Sequence, residues 1–351
     1  MPAPCAQANH AERGPGSRHH ARGDMGDMHA RALPLELAAR CVYKRMHTMI
    51  HARMHAHKLQ VLVEELLCER MYSLPGLADQ APAELITALR AGRVVVAIGA
   101  GFSMPAGLPG YERFLRTAAQ DTGYDDMKDV DASIVAAGEA GYSALDALQS
   151  RITVAAGKPA MCASMRRQFQ LETVPPAMRR LVESLLKLPL CGIITWNWDE
   201  LLDDPECCDC MPCGPPGYAE FLARVGKRDR VPGRQPPLMK MQGNLRRPET
   251  VVLSEEDYES VKESRDGFMH DLYSECSVLH IGLGLRKGWL NRGHGSACRH
   301  YGILDDAHQE DRSRLAVSRL QVLSYDSVRT KWQGNQMYLD HLLACLAHDD
   351  E

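Results

Sequence analysis

Residues 94–98 read VVVAI, and residues 99–109 immediately after them read GAGFSMPAGLP. The first run is apolar, mostly β-branched and followed by glycine, which is typical of a strand buried on both faces of a parallel sheet. A strand that leads into a glycine-rich turn and a helix can present backbone N–H groups to a pyrophosphate. Gly99 and Gly101 allow the tight turn. Because Met104 stands where the usual dinucleotide motif has its third glycine, a simple strand–helix turn without a ligand stays open.

Strand patterns and helical patterns alternate through the rest of the chain. Further strand patterns occur at Cys191–Thr195, Leu238–Met241, Val251–Leu253, Val278–Gly282, His300–Leu304 and Leu320–Tyr325. Helical patterns occur at Ala83–Arg90, Tyr111–Ala119, Ala132–Thr153, Met178–Leu188, Tyr218–Val225, Glu255–Arg265, Gly267–Cys276, Gln309–Arg319 and Gln336–Ala347. This alternation predicts an α/β fold with a Rossmann-like doubly wound parallel sheet. Residues 131–190 show no clear strand and are predicted to form a helical insertion.

The charge distribution separates a basic leader from an acidic body. Residues 1–60 hold eight of the 15 His and nine Lys or Arg against four Asp or Glu. Their net charge of +5 leaves −9 for the remainder of a 351-residue chain whose total is −4. Residues 1–32 have almost no large apolar side chains, which predicts a disordered, His-rich leader. We expect residues 33–82 to be a helical extension and linker, and residues 83–348 to form one large domain.

The near-neutral total charge gives no electrostatic reason to expect nucleic acid or a membrane as the main partner. No apolar run reaches the roughly 20 residues that span a bilayer, and the N-terminus lacks the apolar core of a secretory signal. Twelve Cys in 351 residues are too dilute for a small disulfide scaffold. These features predict a cytoplasmic or nuclear protein whose thiols are mostly free.

Four segments in order resemble the motifs of the SIR2 superfamily. They are residues 99–109, residues 195–202 (TWNWDELL), residues 240–245 (KMQGNL) and residues 279–285 (LHIGLGL). The glycine-leucine-proline that ends the first segment is more similar to SIR2-like NAD hydrolases than to protein deacetylases. The resemblance covers about residues 84–347, and it implies the SIR2-like or DHS-like NAD-binding fold with NAD at the carboxyl edge of the sheet.

The resemblance also implies a set of site residues. The family's opening loop takes the pyrophosphate, its second motif contacts the nicotinamide ribose, and a His in the third motif acts as the general base. Carried over by matching motif position, the catalytic set is Asn197, Asp199 and Gln242. The NAD-binding set carried over in the same way is Gly99, Ala100, Gly101, Ser103, Gly107, Thr195, Asn197, Gly282 and Gly284.

The spacing of two of these residues agrees with the chemistry that the resemblance implies. Asn197 and Asp199 lie two residues apart, so an extended chain would point both side chains to the same side. Cleaving a nicotinamide–ribose bond builds positive charge on the sugar, which such a pair can stabilise while it orients water. A different interpretation makes Asp199 the N-cap of a helix over Glu200–Leu202, worth about 1 kcal/mol. Both roles are compatible.

The third motif departs from the family because Gln242 replaces the His. An amide can hydrogen-bond a ribose hydroxyl, but it cannot accept a proton near neutral pH. Losing a general base costs about 10²- to 10⁴-fold in rate. The sequence therefore predicts binding of NAD or ADP-ribose, with hydrolysis of NAD to nicotinamide and ADP-ribose in doubt. The alternatives are a non-catalytic nucleotide-sensing pseudoenzyme or scaffold and, less favoured, a sirtuin-type protein deacylase.

A cysteine cluster precedes the third motif. Cys207, Cys210 and Cys213 have the C-x-x-C-x-x-C spacing of zinc and iron–sulfur loops, and Cys208 lies between them. No second C-x-x-C pair is present to close a tetrahedral site, unlike in the sirtuin zinc ribbon. We expect a reduced loop, with these three cysteines as weak metal candidates.

Overall fold

The computed structural model describes residues 81–140, 143–203, 210–211, 213–227, 235–283, 298–305, 320–325 and 333–347. All of these residues belong to Leu74–Glu351, the second of two units into which the chain divides. The predicted leader at 1–32 lies outside the described residues, as does the extension at 33–82 apart from its last two positions. The predicted helix at Gln309–Arg319 also lies outside them.

The described strands form one sheet in which every pairing is parallel. In chain order the strands are β1 Val94–Ile98, β2 Leu190–Thr195, β3 Cys210–Met211, β4 Leu238–Lys240, β5 Ser277–Ile281, β6 His300–Asp305 and β7 Leu320–Tyr325. Their spatial order is β3-β4-β2-β1-β5-β6-β7. The chain therefore builds outward from β1 on one side and then returns to β5 on the other. Such a reversal opens a crevice at the carboxyl ends of the strands, where open α/β sheets bind ligands.

Helices cover this sheet and extend beyond it. In chain order they are α1 Ala83–Arg90, α2 Ala100–Ser103, α3 Tyr111–Thr122, α4 Met127–Ala140, α5 Ser143–Ala156, α6 Lys158–Phe169, α7 Pro176–Lys187, α8 Pro215–Lys227, α9 Glu255–Glu275 and α10 Gln333–Ala347. None of these described helices is long and apolar enough to cross a bilayer. The α/β doubly wound fold predicted from the sequence is confirmed.

Strand β1 shows why both sheet faces are covered. Its five residues are fully buried, and successive side chains point to opposite faces. Val94, Val96 and Ile98 pack with apolar residues of α1, α7 and α10. Val95 and Ala97 pack with the apolar faces of α8 and α9. A run without polar alternation therefore forms the central strand, as expected for a strand covered on both sides.

The helices after β1 contribute a separate apolar cluster. Residues of α3, α4, α5 and α6 pack together around Phe114, Leu148 and Met165, away from the two sheet clusters. Trp198, which follows β2, belongs to this helical cluster and contacts the rings of Phe114 and Phe169 at centroid distances of 5.4 and 5.7 Å. Helix α7 instead packs on the sheet. Of the region predicted as an insertion, the part up to Phe169 therefore shares a core with α3 and with residues that follow β2 and β4.

Three element predictions were wrong. Val251–Leu253 is buried but forms no strand; Val252 donates one backbone hydrogen bond, to the carbonyl of Gln242, outside any ladder. The single helix expected over Ala132–Thr153 is two helices, α4 and α5. The two helices expected on either side of residue 266 are one, α9. Gly267 costs a helix about 1 kcal/mol, and burial of Phe268 in the same turn outweighs that cost.

Candidate functional site

Two glycine loops meet at the crevice beside β1. The N–H of Gly99 donates to the carbonyl of Ile281 at 3.0 Å, and the N–H of Gly101 donates to the carbonyl of Gly282 at 2.9 Å. Gly282 has a φ of +66°, and a Cβ there would lie 2.2 Å from the backbone nitrogen of Phe102. A Cβ on Gly99 would lie 2.6 Å from the Gly282 carbonyl oxygen. Glycine is therefore required on both loops so that their backbones can touch.

This contact changes the expected role of the first loop. The N–H groups of Gly99 and Gly101 are engaged with the opposite loop, so in this structure they do not point freely into the crevice. Ala100, between them, is exposed. Gly107 ends a short 3₁₀ turn with a φ of +81° and is also exposed. Gly284, the other predicted member of the second loop, lies outside the described residues.

Asn197 and Asp199 converge on Ser103. The Asn197 Nδ2 donates to Ser103 Oγ at 2.9 Å and to the Gly99 carbonyl at 3.0 Å. Ser103 also lies close enough to the Asp199 carboxylate to oppose the rise that burial causes in its pKa. The predicted pair therefore lies on one side of the chain. Because both Nδ2 bonds fix the amide, its Oδ1, which accepts no bond from the described residues, is left for a ligand hydroxyl or a water.

Thr195 sets the start of this turn. Its hydroxyl is buried, donates to the Ile98 carbonyl at 3.4 Å and accepts from the Asn197 N–H at 3.1 Å. The side chain thus ties the end of β2 to the end of β1. Asn197 is positioned where these two neighbouring strands end.

Asp199 is buried, and desolvation raises the pKa of its carboxyl group. Ser103, the backbone N–H of Leu201 and the charge of Lys240 act in the opposite direction. The Leu201 N–H reaches Asp199 Oδ1 at 3.2 Å. Residues 199–202 form a turn and not the helix start that the N-cap interpretation expected. The same local hydrogen bond therefore closes a turn instead of capping a helix.

A buried ion pair stabilises the turn formed by residues 199–203. Lys240, the last residue of β4, has a side chain that is 1% exposed and lies 2.8 Å from Asp203 Oδ1, whose side chain is 5% exposed. Its Nζ also donates to the carbonyl of Asp199 at 2.7 Å. One cation thus connects both ends of the 199–203 turn to the sheet.

Gln242 is directed toward helix α9. Its side-chain Nε2 donates to the hydroxyl of Tyr258 at 2.9 Å, and its main-chain carbonyl accepts from the Trp198 indole at 3.3 Å. Trp198 therefore bridges the second and third motifs. Burial is the largest cause of the raised pKa of the Tyr258 phenol, so this partner stays protonated near neutral pH. Neither Gln242 nor Tyr258 is a base at that pH.

The next residue, Gly243, has a φ of +81°, and a Cβ would come within 2.1 Å of the Thr250 carbonyl oxygen. The glycine after Gln242 is therefore fixed by backbone packing. Backbone packing alone therefore explains the glycine at position 243, and no ligand is needed to explain it.

The remaining candidates lie outside this cluster. His280 is 1% exposed within β5, and its Nε2 lies 3.0 Å from the Tyr273 hydroxyl. Cys213 lies against Tyr218 and the Met241 carbonyl, at 3.2 and 3.3 Å. Cys207 and Cys208, and the side chain of Cys210, are outside the described residues. Within the described part of the chain, no group of His, Cys, Asp and Glu could hold a metal ion.

Sequence reasoning missed Lys240, Trp198 and Tyr258. Lys240 interrupts the apolar strand residues 238–241, and a charge inside such a run is a signal of a buried partner. Trp198 lies within the second motif, but its packing against Phe114 and Phe169 depends on the tertiary fold. Tyr258 carries no local signal, because only the fold brings helix α9 to Gln242.

The profile of the SIR2-like domain family matches residues 192–303. A solved structure described as "Structural Basis for the Mechanism and Regulation of Sir2 Enzymes" is 12% identical and covers 74% of this chain and 96% of its own, with a TM-score of 0.37. No curated protein matches this sequence.

Proposed function

We propose that this protein binds NAD or ADP-ribose in the crevice between the Gly99 and Gly282 loops, because residues 192–303 match the profile of the SIR2-like domain family. The observation that carries the proposal is the Asn197–Ser103–Asp199 cluster at the ends of β1 and β2. Its fixed amide presents Oδ1 toward a sugar hydroxyl or a water. The ordered motifs along the chain support the same ligand class.

The residues present fit such a ligand in part. The crevice lies at the reversal of strand order, where nucleotides bind in this fold class. Ser103 and Asn197 supply polar groups for the ribose. The N–H groups of Gly99 and Gly101 already have acceptors, so phosphate binding would rest on Ala100 and on exchange of the bond between the loops.

The chemistry of NAD cleavage would fall on the same cluster. Scission of the nicotinamide–ribose bond needs a group that stabilises positive charge on the sugar and a group that orients water. Asp199, held between Ser103 and Lys240, would serve the first need, and Asn197 the second. Gln242 cannot remove the proton from the water, so we expect turnover to be slow.

A calorimetric titration tests the binding proposal. We expect both NAD and ADP-ribose to bind, and the Asn197→Ala variant to bind more weakly by about tenfold, the value of one lost hydrogen bond. Gln120→Ala, which removes an exposed amide from α3, is the matched control. Absence of heat with either ligand at millimolar concentration would refute the proposal.

Nicotinamide release tests the catalytic part. We expect slow release by the wild type and an increase of about 10²-fold in Gln242→His, because the variant regains a base. Fast release by the wild type that persists in Asn197→Ala would show the site assignment to be wrong.

The second candidate function is a non-catalytic nucleotide sensor. The hydrogen bond between Gln242 and Tyr258 favours it, because it occupies the family's base position with a pair that cannot titrate near neutral pH. NAD binding without any nicotinamide release would select this candidate. For either function we propose a cytoplasmic or nuclear location, where the six described cysteines, all free thiols, stay reduced.

A further inference from the structure

Arg265 lies beside Gln242 with its donors unused. Its guanidinium carbon is 5.6 Å from the centre of the Tyr258 ring, the phenol that accepts the hydrogen bond from Gln242. Its Nε is buried and has no acceptor. An arginine carries five N–H donors, and among the described residues none of those on Arg265 has a hydrogen-bond or ion-pair partner.

One ring contact locates this cation, because its guanidinium lies over Tyr258. Burial raises the pKa of Cys213, whose Sγ lies 3.3 Å from the Met241 carbonyl, and the charge of Arg265 acts to lower that pKa. Through Tyr258 and its bond to Gln242, Arg265 is linked to the turn that follows β4. This turn is next to Thr195, because the Met241 N–H donates to the Thr195 carbonyl at 2.8 Å.

Tyr258 adds a second donor at the same place. Its oxygen accepts from Gln242 Nε2. Its hydroxyl hydrogen has no acceptor among the described residues and remains to be donated. Asp146 and Asp257 act on Tyr258 through their charges, but neither lies within ion-pair distance of Arg265. No described carboxylate neutralises the guanidinium.

We propose that Arg265 and the hydroxyl of Tyr258 form a subsite for a phosphate group beside Gln242. A half-buried guanidinium without a carboxylate partner favours an oxyanion, which a planar fork of donors can bind through two oxygens. The same positive charge disfavours a sugar cation nearby. The subsite therefore suits a ligand that carries a phosphate at the end remote from the Gly99 loop.

The phosphate could be free or could be an ester on the distal ribose of an ADP-ribose-type ligand. The second source rests on the proposed function, whereas the first does not. Inorganic phosphate is therefore the primary probe, and ADP-ribose is compared with ADP-ribose 1″-phosphate as the second.

The test titrates the full chain with inorganic phosphate against sodium chloride of matched ionic strength, followed by calorimetry or phosphorus NMR. We expect saturable millimolar binding that Arg265→Gln weakens by about tenfold or more, as for a lost charged hydrogen bond. Arg265→Lys keeps the charge without the fork and should fall in between. Arg179→Gln, an exposed arginine on α7, should bind as the wild type does.

Urea midpoints of the variants separate loss of binding from loss of folding, and Arg265→Lys serves if Arg265→Gln unfolds. No saturable phosphate binding by the wild type, or unchanged affinity in folded Arg265→Gln, would overturn the subsite. A preference for ADP-ribose 1″-phosphate that Arg265→Gln abolishes would identify the ester as the source. Equal affinity for the two compounds, with phosphate binding intact, would identify free phosphate. If NAD and ADP-ribose fail to bind while phosphate binds, the proposed function falls and the subsite stands.

Discussion

Removing the amino group of Lys240 should destabilise the protein far more than removing a surface lysine. The Lys240→Met variant leaves the Asp203 carboxylate buried without its cation and leaves the Asp199 carbonyl without its donor. Breaking a buried pair by deleting one partner costs about 3–5 kcal/mol, because an uncompensated charge remains. We therefore expect a loss of that size in the free energy of unfolding.

The matched control is Lys262→Met on helix α9. Lys262 pairs with Glu259 at 3.1 Å, but these side chains are 56% and 65% exposed. Exposed pairs of this kind contribute about 0–1 kcal/mol. The contrast between the two lysines isolates the effect of burial from the effect of removing one positive charge.

Urea unfolding followed by circular dichroism measures both variants, with stability taken from the linear extrapolation. The double variant Lys240→Met, Asp203→Leu completes a thermodynamic cycle, and it should be more stable than Lys240→Met alone because no buried charge is left. If Lys240→Met costs no more than Lys262→Met, the pair is not buried as described. In that case its support of the Asp199 turn would also be lost.

Two further predictions follow from packing and protonation. Gly282→Ala should destabilise the protein by several kcal/mol more than Gly123→Ala in urea unfolding. Both glycines have a positive φ, but an added Cβ would lie 2.2 Å from the Phe102 nitrogen at Gly282 and would meet open space at Gly123. Equal losses of stability would contradict the contact between the loops. Burial lowers the pKa of His280 from 6.5 to about 3. Between these pH values the His280 imidazole is therefore protonated in the unfolded chain but neutral in the folded protein. Stability is therefore full above pH 6.5 and falls by up to about 1.4 kcal/mol per pH unit toward pH 3. His280→Asn should flatten this part of the urea-derived profile, and an unchanged slope would rule out His280 as its source.

The sheet could be read from the sequence because its strands are buried on both faces. The run Val94–Ile98 is apolar without alternation, and that pattern is distinctive between helices. Val251–Leu253 has the same composition but lies in a buried non-strand segment, so composition alone could not separate the two. The two-residue strand β3 falls below the length at which any pattern can be recognised.

The site could be predicted where its residues are neighbours in sequence. Asn197 and Asp199 share a turn, and Ser103 was assigned to the loop that meets them. Tyr258 and Arg265 could not be predicted, because their relation to Gln242 depends on how helix α9 crosses the end of β4. The bond between the Gly99 and Gly282 loops was missed for the same reason. Hydrogen bonds between distant segments follow from tertiary packing and leave no local pattern.

The placement of Trp198 makes the crevice dependent on the packing of the helical cluster around Phe114. Its ring is a member of the helical cluster with Phe114 and Phe169, yet it is the residue between Asn197 and Asp199. A substitution that loosens the packing of α3 or α6 is therefore transmitted to both polar side chains through one covalent neighbour. The positions of Asn197 and Asp199 therefore depend on how this core is packed, even when every residue of the crevice itself is unchanged.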